Sequence, residues 1–451
     1  MKKPAVPIHK LLDSLFKYAL AAVLVFIPLY PKFPLFILPF TYVQIRAEDF
    51  LIAAVWGIFF LRLLFTRKFK FPPLSLQIGI FFVIGLLSAI SAILITKNVI
   101  PTAVLLHYFR RVEYLSIFFL VYAAVDSAQT RRYFLELAIL PVIGVFFYGL
   151  AQMYLGAPVI STMNVESSKG AALTLRPGVP LSSTFAGHYD LAVYLTMMLT
   201  FFTGLLCSLK SRFKLILSFV AFLATLWLFM QAGSRIGLLG LFLSISLVSF
   251  LYKKYLIGAV LIITMFAFIA TSPGYIDRFK SIINIFTAKM SQVFTPSVYA
   301  VSVTPTPTIT IAPTPTPTPE PLRALQQDTS TSIRFDVEWP RALRSFYKNP
   351  FLGTGYSSIT LSTDNDYLRA LGETGLLGFL AFVSIILGLF IKLIKNLKNV
   401  VGQDKLLTIS ALGILVAFAT TAIFLDVFES SKIAILFWAF MGLALSTNKN
   451  S

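Results

Sequence analysis

Apolar runs close to twenty residues long recur along this chain, and each is long enough as a helix to cross about 30 Å of hydrocarbon. A helix of that length and polarity has no soluble fold to hide in, because its flanks stay apolar on every side. Runs with Gly, Pro and Lys/Arg breaks predict about twelve spans, near 15–38, 49–66, 74–96, 103–125, 133–155, 188–208, 214–231, 236–252, 255–271, 376–394, 406–426 and 431–447. Of the 451 residues 57% are hydrophobic and 13% charged, against about 25% charged in soluble domains, which excludes a soluble enzyme. The fold class expected is all-α, a polytopic integral membrane protein.

The net charge of +19 would suit a nucleic-acid binder, but the cations sit mostly at the ends of the apolar runs. Short connections on the side of the N-terminus hold eighteen Lys and Arg, from Lys2 to Lys449. The opposite side holds seven: Lys32, Arg46, Lys97, Lys169, Arg176, Arg235 and Lys432. By the positive-inside rule both termini are cytoplasmic. The basic start, Met1 to Lys10, precedes an apolar run without an evident small-residue cleavage site, so a retained first span is expected. Cys207 is the only cysteine, and His9, His107 and His188 are scattered, so neither a disulfide within the chain nor a Cys- or His-based metal cluster is expected.

Three parts follow: spans one to nine over 1–271, a large extracytoplasmic loop over 272–375, and spans ten to twelve over 376–451. A shorter outer connection runs from about Gly156 to Gly187. Within the large loop, 304–321 alternates Pro and Thr and predicts an extended polyproline II spacer rather than a catalytic element. Tyr275 to Phe294 carries an apolar stripe suited to a helix in the membrane interface. Ser332 to Tyr347 predicts another helix, started or broken near Pro340.

Ionisable groups at membrane depth are costly and invite a partner or a task. Arg235, in Gly233-Ser-Arg235 between two spans, is an interfacial anchor or a group for an anionic substrate. Arg110, Arg111 and Glu113 lie within the fourth span, and Arg110 with Glu113 has the i,i+3 spacing of a pair that neutralises itself. The richest stretch is Asp364-Asn-Asp-Tyr-Leu-Arg-Ala-Leu-Gly-Glu-Thr-Gly375 outside the tenth span. It supplies a carboxylate to take a hydroxyl proton, with arginines nearby for an anionic leaving group; it also reads as a polar helix cap followed by Leu/Gly packing. Asp190, near His188, is a weaker candidate at the same side.

Four features resemble the O-antigen ligase and O-antigen polymerase superfamily of membrane glycosyltransferases. They are Gly233-Ser-Arg235 opening a span; Arg334 with Trp339 and Ala342-Leu343; Asn349-Pro-Phe-Leu-Gly-Thr-Gly355; and Asp364-Asn-Asp-Tyr-Leu leading to Leu371-Gly-Glu-Thr-Gly-Leu-Leu-Gly378. Their order matches over about 185–395, while the early spans match only in hydropathy.

The resemblance implies glycan transfer from a polyprenyl (undecaprenyl) diphosphate donor to a hydroxyl on a glycan, lipid or protein acceptor. The reaction would run at the outer face of the cytoplasmic membrane, without nucleotide-sugar, cofactor, required metal or nucleic acid. It casts Arg235 and Arg334 as the diphosphate-engaging pair and Asp364 as the acceptor-side group. Asn365 and Tyr367 support it, and Arg110 and Arg111 widen the cationic site. In the ligases the last motif usually begins with histidine, whereas here that position is Asp364. An aspartate, with an ordinary pKa of about 3.9, is a weak base. Three readings stay open: burial raises its pKa, it orients the nucleophile, or another group takes the proton. Repeat-unit polymerisation is the alternative within the superfamily, and a lipid-linked glycan transporter the alternative outside it.

Overall fold

The computed structural model describes residues 8–37, 44–66, 69–97, 99–160, 172–173, 175, 178–271, 333–359 and 362–447. Its helices are α1 (Ile8–Leu29), α2 (Ala47–Thr66), α3 (Ser75–Ser91, continued by a π-turn over Ala92–Thr96), α4 (Pro101–Ala124), α5 (Ala128–Leu137), α6 (Leu140–Tyr154), α7 (His188–Ser208), α8 (Arg212–Ala232), α9 (Arg235–Tyr252) and α10 (Tyr255–Ala270). After the large connection come a π-turn (Arg334–Glu338), α11 (Trp339–Lys348), α12 (Asp366–Leu397), α13 (Gly402–Thr421) and α14 (Ser431–Leu445). Two small antiparallel ladders, β1 (Pro34–Ile37) with β2 (Gln44–Arg46) and β3 (Val159–Ile160) with β4 (Ala172–Leu173), lie in the connections and leave the all-α class intact.

Among the described residues nine segments are long and apolar enough to span a membrane: α1, α2, α3 with its π-turn, α5 with α6, α7, α8, α9, α12 and α13. The other three expected spans coincide with helices that miss that test. Here α4 carries Arg110, Arg111 and Glu113, and α10 and α14 are short. The first helix also starts and ends earlier than its apolar run suggests, at Ile8 and Leu29, because Lys10 and Asp13 lie on its exposed or half-exposed side. The interfacial helix expected over 275–294 and the spacer over 304–321 lie outside the described residues.

Helix α7 is 89% buried over its apolar window and α2 only 17%, so α7 forms the middle of the bundle and α2 its rim. Around α7 pack α8, α9 and α13; α4 lies along α14, α3 along α12, and α1 along α2. Exposed side chains such as Leu64, Leu94, Ile263 and Leu380 give the bundle an apolar exterior that only lipid covers without penalty. Charged pairs collect at two ends. At one, Arg62 pairs with Asp13 at 2.5 Å and Arg131 with Asp404 at 2.8 Å. At the other, here called the upper end, Lys32 meets Asp190 at 3.5 Å and Arg46 meets Glu48 at 3.8 Å. Lys432, fully buried, donates to the Thr184 carbonyl at 2.8 Å there. Lys32, Arg46 and Lys432 thus share one end of the bundle, and Arg131 lies at the other.

Candidate active site

The upper end is organised by a three-residue turn. Asp364 adopts φ 48°, a left-handed conformation that Asp tolerates better than most residues. The backbone N–H groups of Thr363, Asp364 and Asn365 then converge on one carboxylate, that of Asp426 between α13 and α14, at 2.9, 3.2 and 3.2 Å. Such a concave run of N–H groups is a natural anion cradle. The grip is reciprocal: the Asp366 N–H donates to the Ala422 carbonyl at 2.9 Å, and the Asp366 carboxylate accepts from the Phe428 N–H at 3.1 Å. Asn365 caps α12, its side-chain oxygen accepting from the Leu368 N–H at 2.9 Å.

So fixed, the Asp364 side chain meets Arg334. Nε donates to Oδ2 at 2.9 Å and Nη2 lies 2.8 Å from the same oxygen, while Oδ1 accepts from the Ser362 hydroxyl at 2.7 Å. Arg334 is 5% exposed, on the π-turn that leads into α11, with its guanidinium 5.8 Å from the Tyr189 ring centre. Such turns recur at functional sites. Beside this pair three buried polar atoms make no hydrogen bond: Glu338 Oε2, Trp339 Nε1 and Thr363 Oγ1. Buried polar groups are overwhelmingly paired, so three unmet positions around one turn call for an external partner.

Behind the turn a chain of charges runs inward. Arg369 Nη2 lies 2.8 Å from Asp426 Oδ2, and its Nη1 lies 3.3 Å from Glu373 Oε1. Arg111 Nη2 meets Glu373 at 2.7 Å and Glu429 at 2.5 Å, with its guanidinium over the Tyr356 ring at 4.2 Å. Arg111, Arg369, Glu373 and Glu429 line a cavity of about 40 Å³ together with Phe81, Phe382, Phe428 and Trp438. That volume admits a few waters. Burial alone would raise the Asp426 pKa, but Arg369 and the backbone N–H groups outweigh it and hold it below the ordinary carboxylate value. Glu338 goes the other way: burial, then the neighbouring Asp364 and Asp426 carboxylates, push its pKa up, against the pull of Arg334.

The two Gly-rich motifs explain each other. Gly375 has φ 67° and ψ −170°, which bends α12 and releases backbone groups on both sides. The segment around Asn349-Pro-Phe-Leu-Gly-Thr-Gly355 takes them up. The Thr354 N–H donates to the Gly372 carbonyl at 3.0 Å and the Gly355 N–H to the Glu373 carbonyl at 2.8 Å, while the Leu376 N–H donates to the Pro350 carbonyl at 2.8 Å. A side chain at Gly375 would collide with the Phe351 backbone. The bend falls at the boundary expected between the large loop and the tenth span, although the helix itself already begins at Asp366.

Of the residues singled out from sequence, Arg334 and Asp364 come together. Arg235 lies at the same end: Gly233 (φ 67°) ends α8, and Ser234 caps α9 by accepting from the Gly237 N–H at 3.1 Å. Gly240 packs on Ala417 and Thr421, so Arg235 stands about 7.5 Å further along the axis, level with the 422–430 connection. Asn365 is the helix cap, and the Tyr367 hydroxyl donates to the Ala419 carbonyl at 2.9 Å. The Arg110–Glu113 pair expected from spacing does not form a salt bridge. Arg110 donates to the Gln44 carbonyl, and Glu113 Oε1 is buried without a hydrogen bond. Arg110 and Arg111 face different ways, Arg110 into a groove between α2 and α4 with Asp49 and Trp56, and Arg111 into the charge chain. Asp190 is paired with Lys32. Sequence reasoning took in Arg369 and Glu373 only as part of the 364–375 stretch and missed Glu338, Asp426 and Glu429; the readable signal for the last two was carboxylates standing just before an apolar run.

Residues 219–383 match the family model described as O-antigen ligase. The matched stretch holds Arg235, Arg334, Glu338, Asp364 and Glu373, whereas Arg111, Asp426 and Glu429 lie outside it. No curated protein matches the chain.

Proposed function

We propose that this polytopic member of the O-antigen ligase superfamily moves a glycan from a polyprenyl (undecaprenyl) diphosphate carrier to a hydroxyl acceptor, at the outer face of the cytoplasmic membrane. The observation that carries this reading is the Arg334–Asp364 pair set among unmet polar atoms at the upper end of an apolar bundle.

A departing diphosphate carries several negative charges, and at a low-dielectric boundary a guanidinium stabilises it far more than in bulk water. Arg334, held in place by Asp364, brings a buried guanidinium to that position. Arg235 stands at the first turn of α9, where the helix dipole adds positive potential. With Oδ2 committed to Arg334 and Oδ1 to Ser362, Asp364 acts by aiming the guanidinium. The acceptor oxygen attacks the anomeric carbon as the carbon–oxygen bond to the diphosphate breaks, with inversion. Tyr189, against Arg334, closes one flank of the site.

The test is transfer from a labelled polyprenyl diphosphate oligosaccharide in membranes containing the full chain. Arg334→Ala and Arg235→Ala should abolish product at unchanged protein level, and retained turnover in both would end this reading. A single product on lipid or protein marks a ligase; a ladder of chain lengths marks the polymerase.

A further inference from the structure

With Asp364 spent on Arg334 and Ser362, the site holds no unengaged base at that position, yet an attacking hydroxyl must lose a proton. We propose that Glu338 is the catalytic carboxylate that takes it. This inference rests on the transfer reading above.

Glu338 lies one helical turn after Arg334 on the same π-turn, so both side chains leave the same face. It faces Asp364 and Ser362 of the 362–366 turn, Asp426 of the 422–430 connection, and Arg334 of its own turn. Its Oε2 is buried and accepts no hydrogen bond, and among the described residues no guanidinium or ammonium lies within 4 Å of its carboxylate as an ion pair. It is thus a carboxylate oxygen beside the anion-holding arginine with nothing to accept. Burial, then its two carboxylate neighbours, outweigh the opposing pull of Arg334 and the Ser362 hydroxyl and make it a stronger base than an exposed glutamate.

In the step, the acceptor O–H gives its proton to Glu338 Oε2 and its oxygen forms the new bond to the anomeric carbon. The electron pair of the old carbon–oxygen bond leaves with the diphosphate, and Glu338 later passes its proton to that phosphate or to water. No oxidant, reductant or further reactant is needed.

The experiment compares Glu338→Gln and Glu338→Asp in the full chain, reading transfer across pH and, separately, binding of undecaprenyl diphosphate. Glu338→Gln should lose about 10²- to 10⁴-fold in transfer while binding undecaprenyl diphosphate as before. Glu338→Asp should keep part of the rate with a displaced acid limb, since activity falls as pH drops through the pKa of the base. Transfer by Glu338→Gln within a few-fold of wild type overturns the proposal, as does loss of carrier binding in both variants. Wild-type protein that transfers nothing from a polyprenyl diphosphate donor instead sinks the functional reading.

Discussion

Arg369 and Asp426 are 57 positions apart and meet at 2.8 Å, and the carboxylate so held is the one that gathers the N–H groups of Thr363, Asp364 and Asn365. One ion pair therefore sets the backbone that presents Asp364 to Arg334. The pair is buried on both sides, with side-chain exposures of 6% and 14%.

Removing one partner leaves the other charge buried and uncompensated. Arg369→Met should cost about 3–5 kcal/mol of stability, read as a lower unfolding temperature in detergent. The double variant with Asp426→Asn should recover part of that loss. Equal instability of single and double variants would mean the pair is not coupled.

Asp364 allows stability and activity to be separated. Glycine relaxes its φ of 48°, by up to about 1 kcal/mol, while Arg334 loses its partner, so Asp364→Gly should lower the unfolding temperature much less than Arg369→Met does. Transfer should nevertheless collapse, because Arg334 loses its aim. A Gly variant of wild-type rate would remove the Asp364 carboxylate from the mechanism.

Gly375→Ala should be severe, since a strained φ alone costs about 1–3 kcal/mol and the methyl meets the Phe351 backbone. Gly57→Ala and Gly79→Ala, where a Cβ meets nothing within 4 Å, serve as controls and should be neutral or mildly stabilising. The measurement is folded yield after size-exclusion chromatography.

The Asp426 pKa lies below its unfolded value of about 3.9, so its contribution is complete above that pH. It is lost as pH falls through the lower folded value. Unfolding temperature should therefore drop on acidification in wild type, and the drop should be shallower in Asp426→Asn.

Single cysteines at 235 and 364, in a Cys207→Ser background, should both react with an impermeant thiol reagent added from one side of sealed vesicles. Labelling from opposite sides would abolish a shared pocket.

Nine of the expected spans were legible because apolar length is written locally, and Arg334 and Asp364 drew notice because they stand in short motif strings. Pairings such as Arg111 with Glu373, 262 positions apart, leave no local trace. The Arg110–Glu113 expectation failed because spacing on a helix says nothing of competing partners: the Gln44 carbonyl, on a neighbouring strand, takes the guanidinium. Asn365 and Tyr367 read as supporting polar groups, and their side chains hold the helix cap and the α13 backbone. Glu338 was invisible because only packing discloses an unused oxygen.

The turn bearing Asp364 is moored to the 422–430 connection by backbone and carboxylate bonds. Its address in space is consequently dictated by the last two helices, however many residues separate Ala270 from Arg334. Insertions or deletions in that stretch should therefore leave the turn and its Asp364 where they are.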